Sequence, residues 1–237
     1  MLICGVDFET TGLDSKTDRI IEIGAVLWDT ERQLPLRILS CYVNPEREIS
    51  PEITAITGIT NGDVAYGVPE NKALADLFEL AVYSDGYFMA HNAEFDKGFY
   101  DAACIRSGVL NEEMVWLCSK NDIVYPERIT TRNLRHLAAE NGFLNPFSHR
   151  AVFDVLTMFK VASCYKIEDI IARAAQPTLY VQAVVSFDEK EKAKARGYYW
   201  CGPKKIWWRT MKESDYLVEK EACGFRTVLL KGSPEAA

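Results

Sequence analysis

The sequence is defined first by what it lacks. No apolar run approaches the roughly 18 residues a helix needs to cross a bilayer. The opening Met1-Leu2-Ile3-Cys4-Gly5-Val6-Asp7 has no basic segment and reaches an acid too early for a secretory leader. Seven cysteines, an odd number with no C-x-x-C pair, make neither a disulfide framework nor a zinc ribbon. A reducing cytoplasm is the expected compartment and no membrane partner is expected. There is no internal repeat and no low-complexity tract, so solenoid and disordered architectures are excluded. Only 3 histidines occur in 237 residues, which makes the position of each one informative.

What is present is an ordinary globular composition, 48% hydrophobic and 26% charged, with a net charge of -7. The charge is divided unevenly. Residues 1–176 carry 16 Lys+Arg against 26 Asp+Glu, whereas residues 177–237 carry 11 against 8, a net of +3. The change falls near Ala174-Ala175-Gln176-Pro177-Thr178, which reads as a linker.

In the first part, Leu2 to Glu9, Ile20 to Trp28 and Leu36 to Val43 read as strands. A polar loop runs from Asn44-Pro45 to Gly62. Leu74, Leu77, Phe78, Ala81 and Val82 recur at helical spacing. Gly86 to Ala90 reads as a fourth strand, Ala93 to Arg106 as a helix and Val115 to Cys118 as a fifth strand. Thr131 can cap a helix with an apolar face of Leu134, Leu137 and Ala138 that ends at Gly142, and Ala151 to Tyr165 is a further helix. This order predicts an α/β fold, a mixed sheet flanked by helices. The second part reads as strand, helix, a hairpin around Gly202-Pro203-Lys204-Lys205 and a last strand from Phe225 to Leu230, a small α+β domain.

Three short segments carry candidate chemistry. Asp7 and Glu9 lie two apart on a strand and so point to one face, while Leu2, Cys4, Val6 and Phe8 take the other. Neighbouring carboxylates repel, and a hard cation with oxygen ligands, Mg²⁺ or Mn²⁺, would offset that cost. His91-Asn92-Ala93-Glu94-Phe95-Asp96 ends a strand and opens a helix, with Asn92 as a possible cap and Asp96 in the first turn. His149-Arg150-Ala151-Val152-Phe153-Asp154 also opens a helix, and His149 can accept a proton near neutral pH. Taken singly, each segment is equally well read as a strand end, a helix cap or a surface loop.

Taken together, Asp7-Phe8-Glu9-Thr10-Thr11-Gly12, His91 to Asp96 and His149 to Asp154 resemble, in order and type, the three motifs of the 3′→5′ exonucleases with four acidic residues and a histidine. That family includes the proofreading subunit of bacterial DNA polymerase III, ribonuclease T and exonuclease X. The stretch Asn44-Pro45, Ile49-Ser50-Pro51, Gly58-Ile59-Thr60 resembles the family's loop between the first two motifs, and the likeness extends over residues 1–170. The resemblance implies a ribonuclease H-like five-stranded mixed sheet. It also implies a metal-dependent hydrolase that releases 5′-mononucleotides from 3′ ends. Asp7, Glu9, Asp96 and Asp154 would bind two Mg²⁺ ions, with Mn²⁺ able to substitute, and His149 would be the general base. Phe8, Thr10, Leu13, Asn92 and Phe95 would contact or shape the substrate site. Single-stranded or frayed DNA 3′ ends are the first expectation. The alternatives are an exoribonuclease that trims RNA ends, or a non-catalytic nucleic-acid or polymerase-binding module. Relatives include dimers, so a homodimer is possible, but no segment predicts an interface, and the sequence identifies no polymerase partner. Many relatives have a histidine where this chain has Thr57, a difference that bears on substrate preference. Arg150, Lys97, Arg132 and Arg135 lie near the motifs, where solvated helix faces are the simpler reading.

The expected division is an exonuclease domain over 1–175 and a small basic aromatic accessory domain over 180–232. The accessory domain resembles a small module found attached to some nucleic-acid enzymes. Its tryptophans Trp200, Trp207 and Trp208 could stack on bases, but a core role is favoured in a domain with little else to bury.

Overall fold

Strand β1 (Leu2–Thr10) runs through the middle of the first sheet, because helices cover it on both faces. Strand β2 (Ile20–Asp29) pairs antiparallel with it, and β3 (Leu34–Tyr42) pairs antiparallel with β2 at the exposed edge. Helices α1 (Pro51–Thr57), α2 (Asn61–Val64) and α3 (Glu70–Ala81) follow. Strand β4 (Tyr87–Ala90), helix α4 (Ala93–Ser107) and strand β5 (Val115–Cys118) come next, then helices α5 (Leu134–Glu140), α6 (Ala151–Ala162) and α7 (Ile167–Ala174). In this computed structural model, which describes residues 1–109 and 113–234, the chain divides into two compact units, Met1–Ala174 and Ala175–Ala237.

The first unit holds a five-stranded sheet of order β3-β2-β1-β4-β5, with β4 and β5 parallel to β1. On one face Cys4, Val6 and Phe8 pack with Leu74 and Leu77 of α3 and Phe99 and Tyr100 of α4. On the other face Ile3, Val26 and Trp28 meet Val155, Met158 and Phe159 of α6 and Ile170 of α7. Trp28 stacks on Phe159 with ring centroids 4.9 Å apart. This is the mixed α/β sheet that the element order predicts.

Four local expectations are corrected. The segment read as a polar loop contains two helices. Ser50 caps α1 by accepting from the Ile53 N–H, and Thr60 and Asp63 form a reciprocal capping box on α2. Asn133, not Thr131, caps α5, by accepting from the Arg135 N–H. Asn92 precedes α4 at φ 102° and its side chain makes no cap bond. Helix α7, and helix α9 of the second unit described next, fall outside the elements read from the sequence.

The second unit contains β6 (Thr178–Val184), a short turn over Phe187–Glu189, α8 (Lys190–Ala195), β7 (Tyr199–Cys201), β8 (Ile206–Lys212), α9 (Glu213–Ala222) and β9 (Arg226–Leu230). Its antiparallel sheet has the order β7-β8-β6-β9. Val181, Ala183, Ala193, Tyr198 and Met211 form its small core. Pairing sets Ala183 opposite Trp207 and Gln182 opposite Trp208, so the two indoles leave opposite faces. Trp208 is buried, Trp207 is half-buried against the core and Trp200 is exposed, so the aromatics divide between core and surface.

Candidate active site

The site is assembled where α6 presses against the sheet. On β1, Gly5 and Asp7 share a face. A Cβ at Gly5 would stand 2.3 Å from the Phe159 ring. Gly24, the β2 partner of Asp7, lies under the first turn of α6, and a Cβ there would stand 2.2 Å from the Val152 nitrogen. These two glycines let the helix that bears Asp154 approach the strand that bears Asp7 and Glu9. Asp96, in the first turn of α4, is 2% exposed and accepts from the Phe8 N–H at 3.3 Å.

His149 immediately precedes α6 in a left-handed conformation, φ 63°. Its backbone N–H donates to Asp154 Oδ2 at 2.9 Å, and Asn145 Nδ2 donates to Asp154 Oδ1 at 2.6 Å. An imidazole nitrogen of His149 and carboxylate oxygens of Glu9 and Asp154 all lie within 4.8 Å of one another. Asp7, Glu9, His149 and Asp154 line a cleft of about 450 Å³, together with Lys120, Arg132 and Arg135.

The electrostatics are unbalanced. Burial, then the charges of Asp96, Glu9, Asp154 and Glu22, hold the Asp7 carboxyl well above the usual range. Burial, with Asp154 and Glu22 nearby, pushes Glu9 to about 7. Burial pushes Asp96 to about 8 against the opposing pull of the Phe8 N–H. Asp154 is raised by burial, and the His149 N–H moderates the shift. Four carboxyl groups that resist ionisation together suit hard divalent cations with oxygen ligands, which would restore the charged forms.

The structure thus brings together Asp7, Glu9, Asp154 and His149, with the buried Asp96 near enough for its charge to raise Asp7. The other expected residues are placed differently. The Phe8 side chain packs in the core, and its backbone N–H donates to Asp96. Thr10 is buried and donates to the Gly12 carbonyl at 2.6 Å. Leu13 is 86% exposed. Phe95 packs on Phe99, and Asn92 is half-buried at the helix start. Lys97 pairs with Asp101 on the helix surface. Thr57 is buried, donating to the Ile53 carbonyl and accepting from the Ile59 N–H, so it serves α1. His91 bridges Ser119 Oγ and the Arg132 carbonyl, each at 2.8 Å, and burial lowers it to about 4, which leaves it neutral.

Sequence reasoning missed Glu22. It is 1% exposed, sits opposite Glu9 in the β1–β2 pairing and clamps the residue after His149. Arg150 Nη2 donates to its Oε1 at 2.9 Å and the Ala151 N–H to its Oε2 at 3.0 Å. A lone acid within the apolar run Ile20-Ile21-Glu22-Ile23 was the available signal. Asn145 and Lys120 were also missed, and neither carries a local pattern that distinguishes it from a loop residue.

A mixed five-stranded sheet presenting carboxylates and a histidine in one cleft is the arrangement expected of a ribonuclease H-like fold. Residues 4–162 match the exonuclease family, and the chain belongs to that family. It is 32% identical over 151 residues to DNA polymerase III subunit epsilon of Treponema pallidum (strain Nichols), covering 62% of this chain and 68% of that protein. It is 40% identical over 100 residues to the 3′-5′ exonuclease DinG of Bacillus subtilis (strain 168), which covers 40% of this chain but only 10% of that protein. Among solved structures, the nuclease domain of 3′hExo, a DEDDh family member bound to rAMP, superposes with a TM-score of 0.60 at 19% identity, covering 69% of this chain and 90% of that one.

Proposed function

We propose that this chain removes 5′-mononucleotides from nucleic-acid 3′ ends, with Asp7, Glu9, Asp96 and Asp154 holding two Mg²⁺ ions and His149 acting as general base. The observation that carries this reading is the meeting of Glu9, Asp154 and His149 within 4.8 Å, beside Asp7. When bound, the ions would stabilise the charge that builds on the attacking and leaving oxygens. His149 accepts a proton from the attacking water. The P–O bond to the upstream 3′ oxygen then breaks, and that oxygen gains a proton from solvent. The Asp154 contact to the His149 N–H and the Glu22–Arg150 clamp hold the imidazole's backbone in register. Lys120, Arg132 and Arg135 supply positive charge along the cleft for the strand's phosphates.

DNA is the favoured substrate, on the strength of the similarity to the polymerase III subunit. RNA is the second reading, since the 3′hExo domain of similar fold holds a ribonucleotide. A purely binding role is disfavoured because all five reactive side chains are present. This chemistry is assigned to residues 1–175, with 180–232 as an accessory domain. All seven cysteines are unpaired, which fits a reducing cytoplasm. No helix among the described residues is long and apolar enough to cross a membrane. The test is digestion of matched 5′-labelled DNA and RNA oligonucleotides with Mg²⁺, with Mn²⁺ and without metal. A ladder shortening from the 3′ end is expected only with metal, and faster on DNA. Intact oligonucleotides under all conditions would defeat the proposal.

A further inference from the structure

The second unit carries a surface that the catalytic cleft does not use. Its elements are linked by contacts among aromatic rings and lysines. Lys190 Nζ sits 3.7 Å over the ring of Phe187, which is 77% exposed. Lys194, one helical turn further on the same face of α8, sits 5.8 Å over Trp207. Trp207 meets Trp200, which is 51% exposed, with ring centroids 5.4 Å apart. The Trp200 indole nitrogen lies 4.0 Å from where a Gly202 Cβ would stand, so this ring borders the exposed hairpin turn that bears Lys204 and Lys205. Among the described residues neither of these two lysines has an ion-pair partner, whereas Lys192 and Lys194 pair with Glu189 and Glu191.

From this chain of contacts we infer that the stripe Phe187, Lys190, Lys194, Trp207, Trp200 and the Lys204-Lys205 turn binds single-stranded nucleic acid. Bases would stack on the exposed rings and phosphates would meet the lysines. Three features select this occupant. The stripe is basic within a unit of net charge +3, complementary to a polyanion. Its rings are large and flat, and every base offers a π-face to them, so stacking tolerates any sequence. Its rings and cations also lie side by side, as the bases and phosphates of a strand do. An acidic protein segment would satisfy the lysines but leave the indoles in water. The inference goes beyond the exonuclease reading, because it concerns binding without cleavage.

The test uses the full chain in EDTA, with anisotropy of labelled oligothymidylate and oligouridylate and with indole fluorescence as a second readout. Oligonucleotide should quench the indole emission. Trp200→Ala should weaken binding by about 5- to 150-fold, the range for loss of one stacked base. Trp200→Phe should retain most of the affinity, which separates stacking from folding. The double change Lys204→Ala/Lys205→Ala, on an exposed turn, should reduce the slope of log affinity against log salt by about 1.4, or about 0.7 per lost phosphate contact. Parent-like binding by Trp200→Ala and by the lysine variant overturns the inference. So does a polyglutamate peptide that competes as well as oligothymidylate, since that would mark an acidic protein as the partner. Metal is absent throughout, so failure here leaves the exonuclease proposal intact, and failure of that proposal leaves this result readable.

Discussion

The two units handle charge in opposite ways. In the first, four carboxyl groups are drawn together beside a buried glutamate, and their affinity for protons rises. In the second, acids are met by cations rather than by one another, and further cations lie exposed on the surface. Arg196, for example, holds Glu219 through two bonds of 2.9 and 2.7 Å. Concentrated like charge opposes folding and makes sense only if something else is bound there. Distributed positive charge costs little and leaves a surface open to a polyanion. The comparison separates a site that requires a ligand to be electrostatically satisfied from a surface that merely attracts one.

The largest effect that would break this contrast lies at Asp7. Asp7→Ala should lower kcat by at least about 10² to 10³, as expected when several kcal/mol of transition-state stabilisation are lost. Single-turnover digestion would measure it. The metal-free melting temperature at pH 8 should not fall, because a repelling charge has been removed. A variant with full activity would show that the cleft is not the reaction centre.

Next in size is the clamp. Glu22→Gln keeps the shape and one acceptor oxygen but loses the charge that holds Arg150. A decrease in kcat of about 10- to 100-fold is expected, comparable to loss of an outer-shell partner at a metal site. KM should stay nearly constant, because the residue orients His149 and does not itself line the cleft. An effect on KM alone would assign Glu22 to binding.

A third measurement sharpens the contrast through pH. In the metal-free protein Glu9 titrates near 7 and Asp96 near 8, against ordinary values of 4.5 and 3.8. The folded state therefore retains protons that the unfolded chain has already released. The stability these groups contribute is complete below about pH 4 and is lost as pH rises through 7 and 8. Melting in EDTA should move to lower temperature from pH 5 to pH 8, and Mg²⁺ should flatten the profile. A flat profile in EDTA would contradict the charge reading of the cleft.

The smallest effect should be confined to the second unit. Arg196→Ala removes both bonds to Glu219, which is 8% exposed, at a cost of about 1–3 kcal/mol. Calorimetry should show one transition shifted, with the rate on a dinucleotide-sized substrate unchanged. A loss of that rate would mean the two units are coupled in catalysis.

The five residues proposed to react stand out in the sequence because they fall in three short runs, each tied to the end of a strand or the start of a helix. Glu22 was not, because its importance depends on Arg150, 128 residues away in the chain. The helices α1 and α2 were hidden in a polar stretch where capping side chains, not apolar periodicity, define the elements. Phe8 follows the alternation read from the sequence. Its side chain packs in the core while its backbone N–H donates to Asp96.

By itself the sequence determined the order of the strands, the split in charge between the two parts and which residues could ligate a hard cation. These are local properties, set by side-chain chemistry and by the periods of the strand and the helix. Only the tertiary structure decided that α6 could lie against Gly5 and Gly24, that Asp96 would be almost wholly buried and that a glutamate from β2 would secure the residue beside His149. Those outcomes depend on close packing between distant segments, where a single Cβ or an unpaired charge is enough to change the result.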